Sequence, residues 1–490
     1  MTAAREMITD ESARRTAGLV VAALQPILGE LVNRFTNAGH ELALVGGPVR
    51  DALLDRLDLS DATRTDLDLT TSARPDEVLR LVDGYAEALW TTGIDFGTIA
   101  LSYHGFQIEI TTYRADRYDR VSRNPEVVYG DNLADDLVRR DFAVNAMAIR
   151  LRDGSFVDPH GGLRDLAAGV LRTPAYPQES FADDPLRILR AIRFVAQLGF
   201  TLEDKTALAI RDMADQLDRI TPERIQAELS KLLLAPAPRA ALELMVASGV
   251  ADVVLPELPG LKMEIDEHHQ HKDVYSHSLT VLDQAIALED RLPEGGPDLV
   301  VRLAALLHDI GKPATRRHES GGGVSFHHHE VVGAKMVRKR LRALRYSKAI
   351  VEAVSDLTFL HLRFHGFSGG QWTDSAVRRY VTDAGDLLPR LHILVRSDCT
   401  TRNKRRAAAL SAAYDRLEER IVKIQAEEDL NAVRPDLDGN EIMQILGIPG
   451  GPMVGKAWNY LKELRLDRGP MPRDEAVAEL KEWARDNLGS

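Results

Sequence analysis

The chain has 490 residues, 44% of them hydrophobic and 28% charged, a balance that excludes wholesale disorder, collagen and a membrane bundle. Sixty-two Lys and Arg against 74 Asp and Glu leave a net charge of −12. A generally basic coat is thereby excluded, and any polyanion would have to be held by a local patch. The single cysteine, Cys399, forms neither an internal disulfide nor a Cys-rich zinc site and fits a reducing compartment.

At roughly 100–200 residues per domain, the length predicts about three domains. The apolar stretch Gly18–Leu28 follows Arg5, Arg14 and Arg15, which Glu6, Asp10 and Glu11 balance. It therefore lacks the positive region of a signal peptide. No run approaches the roughly 20 apolar residues of a membrane span, so a soluble, cytoplasmic protein with no membrane is expected. Strands are predicted at 41–45, 66–71, 98–103 and 106–113, where β-branched residues cluster or polar and apolar residues alternate. From about Ser180 onward strand signals nearly vanish. Helical periodicity takes over, broken by Pro and Gly near 174–177, 235–238, 255–260, 293–297 and 435–452. The expected class is α+β, with a mixed head followed by a long all-helical body.

On a strand at 66–71, Asp66 and Asp68 point to one face while Leu67 and Leu69 point to the core. Carboxylates about 7 Å apart on one face can hold hard divalent cations, although a solvated strand end has the same pattern. Upstream, Leu44-Val45-Gly46-Gly47-Pro48-Val49-Arg50-Asp51 reads as strand, diglycine turn and helix. Glycines let backbone amides approach a phosphate, and a helix N-terminus favours an anion; an ordinary strand–turn–helix joint is the alternative. No Gly-x-x-x-x-Gly-Lys-Ser/Thr motif is present. In Gln107-Ile108-Glu109-Ile110-Thr111, Glu109 lies on the polar face and could join Asp66 and Asp68 in a two-metal phosphoryl-transfer site.

The blocks LVGGPVRDALL, TDLDLTT, EITTYR, DLVRRDFAVNAMA and DDPLRILRAIRFVAQLGF occur in that order. Together they resemble the head and neck of a bacterial class II tRNA nucleotidyltransferase, the CCA-adding family of the DNA polymerase β superfamily, over residues 42–230. The resemblance implies a polymerase β-type head with a small mixed sheet and helices over 1–172. It further implies a helical neck with a base-recognition helix over 173–262, an HD-type metal domain over 263–400 and a helical, tRNA-binding tail over 401–490. Asp66 and Asp68 would bind catalytic Mg²⁺ beside Glu109. Gly46, Gly47, Arg50 and Arg140 would contact the incoming CTP or ATP, and Asp141 its ribose.

Asp184-Pro185 reads as N-cap and first helical residue. Arg187, Arg190 and Arg193 then form a cationic ridge opposite Ile188, Ile192 and Val195. The resemblance makes Asp184 and Arg187 a protein template. The acid accepts from the exocyclic amine of C or A, and the arginine donates to the adjacent ring acceptors; Arg190 and Arg193 complete the nucleotide pocket. Asp183 stands where the family commonly has Glu. Glu223, Arg224 and Glu228 follow on a supporting helix. The polar stretch between Tyr113 and Arg139 is expected as a long loop, corresponding to the family's loop for the switch from C to A addition.

In the body, His277, the pair His308-Asp309 and Asp398 each lie near a helix end. They resemble the HD superfamily of metal-dependent phosphohydrolases and suit Mn²⁺, Fe²⁺, Ni²⁺ or Zn²⁺. His329 and His361 are candidates for a second metal, whereas His327 and His328 read as loop residues. The run Lys335–Lys348 (KMVRKRLRALRYSK) carries seven basic residues and no acid, and could track an RNA backbone or simply be solvated. Arg402, Lys404, Arg405 and Arg406 form a second cluster. ILGIPGGPMVGKAWNYL reads as helix–turn–helix and resembles the family's tail, with Gly450 where Pro is more usual. The expected activity is addition of CCA to tRNA 3′ ends. The alternatives are a specialist that adds only CC or only A, a poly(A) polymerase, against which GIDFGTIALSY lacks the extra basic block such enzymes carry, or an HD phosphohydrolase whose head only binds.

Overall fold

The computed structural model describes residues 8–62, 65–115, 128–262, 273–320, 323–363, 373–401, 403–427 and 434–488. It comprises two compact units, Met1–Val254 and Leu255–Ser490.

The first unit opens with helix α1 (Asp10–Asn37), started by a capping box between Thr9 and Ser12. This helix is long and apolar enough, by length and composition, to cross a membrane, which the run-length reading did not anticipate. Its apolar positions Ala13, Ala17, Val20, Leu24, Leu28, Leu31 and Phe35 recur every three or four residues and are buried. That stripe packs against the head, touching strand β1 (Leu42–Val45) and helix α2 (Gly47–Leu53).

The head sheet also contains β2 (Asp66–Thr71), β3 (Ala88–Trp90), β4 (Thr98–Tyr103), β5 (Phe106–Thr112), β6 (Ala148–Arg150) and β7 (Phe156–Val157). Its order is β3-β4-β5-β2-β1-β6-β7. Only β2 and β5 pair in parallel; the other neighbours are antiparallel. The four strands read from alternation are present within a residue of their predicted bounds. Strands β3, β6 and β7 are two or three residues long and carry too little pattern to be read.

Of the expected loop between Tyr113 and Arg139, residues 116–127 lie outside the described residues. The flanks form a small pair, Arg114–Ala115 with Val128–Tyr129, and a helix, Leu133–Val138.

Helix α3 (Leu186–Leu198) buries Ile188, Leu189 and Ile192 and ends at Gly199, whose φ of 65° needs no Cβ-bearing residue's strain. Its start corrects one expectation. Pro185 occupies the cap position and Asp184 ends the preceding helix Pro177–Asp183, while the Asp184 carboxylate accepts from the Leu186 amide at 3.2 Å. Helix α4 (Pro222–Leu233) packs on α3.

The second unit is helical. Helices α5 (Val274–Leu288), α6 (Leu299–Leu307), α7 (His329–Ala343), α8 (Lys348–Leu360) and α9 (Leu388–Ser397) pack together, α5 against α6 and α9, α6 against α8, and α7 against α8. Helix α10 (Lys404–Glu427) follows, then helices Gly439–Leu446, Pro452–Arg468 and Arg473–Leu488 around a core of Leu437, Ile442, Ala457, Leu461, Ala476 and Leu480.

Candidate nucleotide site and metal centre

The parallel pairing of β2 with β5 sets Asp68 directly opposite Glu109, with Asp66 opposite Gln107. Leu67 and Leu69 are fully buried on the other face, so the two-residue period sends all three acids to one open side. Burial, with Glu109 and Asp66 nearby, pushes the Asp68 carboxyl up to about 6, although Arg140 opposes the shift. Crowded carboxylates that resist ionisation are relieved by a cation, and an all-oxygen donor set suits a hard one. The three acids share a row without closing on one another. Among the described residues, trios of ligand atoms within 4.8 Å occur only at the helical site below.

Beside this row β1 turns into α2 through Gly46, whose φ is +74°. A Cβ there would sit 3.3 Å from both the Arg140 guanidinium and the Asp68 carboxylate, so glycine serves the turn and the close approach together. Arg50 is buried. It donates to both Asp51 oxygens and to Asn145 Oδ1, each at 2.8 Å, and lies 5.3 Å from the Phe194 ring centroid. Asn145 in turn donates to Asp141 at 3.0 Å. Asp141 also accepts from the Phe142 amide at 2.8 Å and from Arg190 at 2.9 and 2.5 Å. Burial works against its charge, yet Arg190 and Asn145 prevail and hold the carboxyl near 2. Both Asp141 oxygens are thus engaged inside the protein. Asp51 and Asn145 were not singled out from the sequence, although Asn145 lies four residues after Asp141 in the same block.

The expected cationic ridge of α3 faces inward. Arg193 is buried and donates to Glu228 of α4 at 2.5 Å, and Arg190 lies 3.6 Å from the same carboxylate. Arg187 donates to Ser180 Oγ at 2.8 Å and to the Arg139 carbonyl. Asp184 accepts from Arg224 of α4 at 2.8 Å. Two cavities meet at Asp68. One of about 630 Å³ is lined by Gly47, Arg50, Asp66, Asp68, Asn145 and Lys231. The other, of about 270 Å³, is lined by Gly46, Asp68, Arg140, Asp184, Arg187 and Arg224. The predicted nucleotide residues therefore converge, with Glu109 on the far side of the acid row.

The helical site brings together all six predicted ligands. His277 lies near the start of α5, His308 and Asp309 follow α6, and Asp398 follows α9. His329 opens α7 and His361 follows α8. Asp309 divides its oxygens between two trios. Its Oδ2 lies 3.5 Å from His277 Nε2 and 3.2 Å from His308 Nε2. Its Oδ1 lies 3.2 Å from His329 Nε2 and 3.9 Å from His361 Nε2. Asp398 reaches His277 at 2.9 Å. The Nδ1 atoms of His308, His329 and His361 face the carbonyls of Ala305, Phe326 and Thr358 at 2.9, 2.8 and 2.6 Å. Donation to those carbonyls places a proton on Nδ1, so Nε2 is the atom each ring would offer to a cation.

Burial opposes a proton on His308, but Asp309 and Asp398 outweigh it and push its pKa up to about 10. Burial and His308 drive His361 down to about 3. His308 Nε2 and Asp309 Oδ2 are buried, and the Lys312 ammonium lies 2.9 Å from that same Asp309 oxygen, so a shared cation would join Lys312 in compensating the carboxylate. Gly311 keeps the elements close, since a Cβ would meet the His329 carbonyl at 2.2 Å. His328 is exposed in a left-handed turn, a loop residue as expected.

The basic run splits between α7 and the start of α8, and its arginines are paired. Arg338 meets Glu352 and Asp356, Arg342 meets Glu352, and Arg340 meets Glu257. The expected phosphate track is thus partly neutralised by carboxylates from other segments. Arg402 lies outside the described residues, while Lys404, Arg405 and Arg406 form the first turn of α10. The tail turn is present, with Gly447 in the left-handed region and Pro452 opening the next helix.

Residues 42–172 match the family described as the poly A polymerase head domain, 199–261 the probable RNA- and SrmB-binding site of polymerase A, and 274–424 the HD domain. The chain is 36% identical over 367 residues to the A-adding tRNA nucleotidyltransferase of Deinococcus radiodurans, covering 73% of this chain and 81% of that one. It is 40% identical over 227 residues to the CCA-adding enzyme of Lactobacillus helveticus, covering 46% of this chain and 54% of that one. It thus spans about half the length of that CCA-adding relative. The Bacillus stearothermophilus CCA-adding enzyme in complex with CTP shares the fold, with a TM-score of 0.67 at 24% identity over 95% of this chain and 98% of that one. So does the Thermotoga maritima CCA-adding enzyme complexed with tRNA, with a TM-score of 0.57 at 20% identity over 93% and 94%. An acid row on a mixed sheet, a glycine turn beside it, a helical HD centre and this Deinococcus relative together make the chain a member of the tRNA nucleotidyltransferase family.

Proposed function

We propose that the first unit transfers cytidylate and adenylate from CTP and ATP to the 3′ end of tRNA, rebuilding CCA without a nucleic-acid template. The observation that carries this reading is the meeting of two cavities at Asp68, one lined by Gly47 and Arg50, the other by Asp184 and Arg187. The triphosphate lies against Gly46, Gly47, Arg50 and Arg140, where a helix N-terminus and guanidinium groups hold anionic oxygens. Asp184 accepts from the exocyclic amine of C or A, and Arg187 donates to the neighbouring ring acceptor; U and G lack that pattern. Asp66 and Asp68 would hold Mg²⁺, with Glu109 on the side from which the RNA hydroxyl attacks the α-phosphorus as pyrophosphate leaves. When bound, the cation supplies Lewis acidity and neutralises developing charge. The relatives include both an A-adding and several CCA-adding enzymes, and the lack of a basic block before β5 favours CCA over poly(A) addition.

The finer division follows the same reading: head 1–172, neck 173–262, HD domain 263–400 and tail 401–490, in a cytoplasmic protein. The two trios sharing Asp309 favour a second activity, a phosphohydrolase that uses Mn²⁺, Fe²⁺, Ni²⁺ or Zn²⁺ held by His277, His308, Asp309 and Asp398, with His329 and His361 at a second ion. Asp66→Ala is expected to abolish nucleotide addition while leaving phosphatase activity, and His308→Ala to do the reverse. Full addition by Asp66→Ala would refute the head assignment.

A further inference from the structure

Beyond the carboxylates, the same face of the head sheet continues outward to an exposed tryptophan. Asp68 is opposite Glu109, Glu109 opposite Ala100, and Ala100 opposite Trp90. Directly opposed residues of neighbouring strands project to one face, so these four side chains form a single row across β2, β5, β4 and β3. At about 4.8 Å between strands, Trp90 stands about 10 Å from Glu109 and about 14 Å from Asp68. Ala100, between them, is too small to screen the indole from the acids. Trp90 is 45% exposed, and Phe96, in the turn before β4, is 57% exposed.

The direction of approach follows from the cavities. Both lie on the β1 and α3 side of Asp68, and Glu109 lines neither. With the nucleotide on that side, the attacking hydroxyl reaches Asp66 and Asp68 past Glu109, over β5, β4 and β3. A cation stands along this track, since Arg114 Nη2 lies 3.5 Å from Thr98 Oγ1 and Thr98 is in line with Thr111 on the same face.

We infer that Trp90 is a stacking platform for the unpaired 3′ strand that the RNA acceptor carries once two C residues have been added, holding the third base counted from the reacting end; this rests on the transfer reading above. Stacked bases lie about 3.4 Å apart, so the 10 Å from Glu109 to Trp90 holds three stacking intervals, the last between the third base and the indole. Aromatic stacking is sequence-tolerant because every base has a π-face. That suits a site that receives one acceptor end after another while discrimination is confined to the incoming nucleotide. The platform is a positioning element and touches no reacting atom.

The test uses the full-length chain and an acceptor minihelix ending in CC, with 2-aminopurine at the discriminator position, the third nucleotide from its 3′ end. Without CTP or ATP, the wild type and Trp90→Phe are expected to quench the probe, and Trp90→Ala is not. In steady state, Trp90→Ala is expected to raise KM for the RNA about tenfold, equivalent to about 1.4 kcal/mol, with kcat and the KM for ATP unchanged and Trp90→Phe restoring most of it. Equal quenching by Trp90→Ala, or an RNA KM within twofold of wild type, overturns the platform. A wild type whose self-association is lost in Trp90→Ala while its RNA KM is unmoved overturns it too, making the face a contact between copies. A wild type that quenches the probe but never extends the RNA refutes the transfer reading while upholding the platform.

Discussion

Arg224 of α4 donates to Asp184 at 2.8 Å, just ahead of α3, so the acid proposed to read the incoming base already has an internal cation. The pair is partly exposed, with side chains 49% and 31% accessible, and such pairs contribute roughly 0–1 kcal/mol. Arg224 therefore competes with the base amine more than it holds the fold together. Arg224→Met is expected to lower KM for CTP and ATP together, by up to about fivefold, while shifting unfolding by less than about 1 kcal/mol. Steady-state kinetics with each nucleotide separates this from a supporting role, in which KM would rise.

Glu228 is a different case. It is buried between Arg193, at 2.5 Å, and Arg190, at 3.6 Å. Removing one partner of a buried pair leaves an uncompensated charge, at a cost of about 3–5 kcal/mol. Glu228→Ala is expected to destabilise the first unit by about that amount in chemical denaturation, with Glu228→Gln intermediate. A loss under about 1 kcal/mol would mean that water reaches the arginines.

How much of this was legible from the sequence depended on how local each signal is. The strands bearing Asp66, Asp68 and Glu109 were readable because alternation is written in neighbouring residues, and the HD ligands because each lies at the end of an apolar helix. Asn145 could not be found that way, since its partner Arg50 is 95 residues distant. The arginines of α3 were legible as a ridge beside the nucleotide blocks, but Asp141 and Glu228, 49 and 35 residues from Arg190 and Arg193, become their partners only in the fold. The partners of the basic run of α7, Glu257 and Glu352, are likewise supplied from other segments.

The second unit carries a pH signal at His392 on α9. Its ring stacks on Tyr380, with centroids 5.7 Å apart; Glu418 of α10 lies 3.5 Å away, and Arg396 and Arg291 are also near. Burial pushes its pKa down to about 4, with the two arginines adding and Glu418 opposing. The unfolded chain, titrating near 6.5, then binds more protons than the native one between those values. The stability contributed is present above pH 6.5 and is lost as pH falls towards 4. At pH 5 the loss amounts to about 2 kcal/mol. Unfolding of wild type and His392→Gln, compared at pH 7.5 and pH 5, is expected to show a shallower fall for the variant; parallel falls would contradict the assignment.

The most direct measurement incubates the full chain with Mg²⁺, CTP, ATP and a tRNA transcript ending at the discriminator base, then sequences the 3′ ends. The expected product carries C, C and A and then stops, because Asp184 and Arg187 select the base while the acid row performs every step. A homopolymeric A tail, or no extension of any transcript, would contradict it.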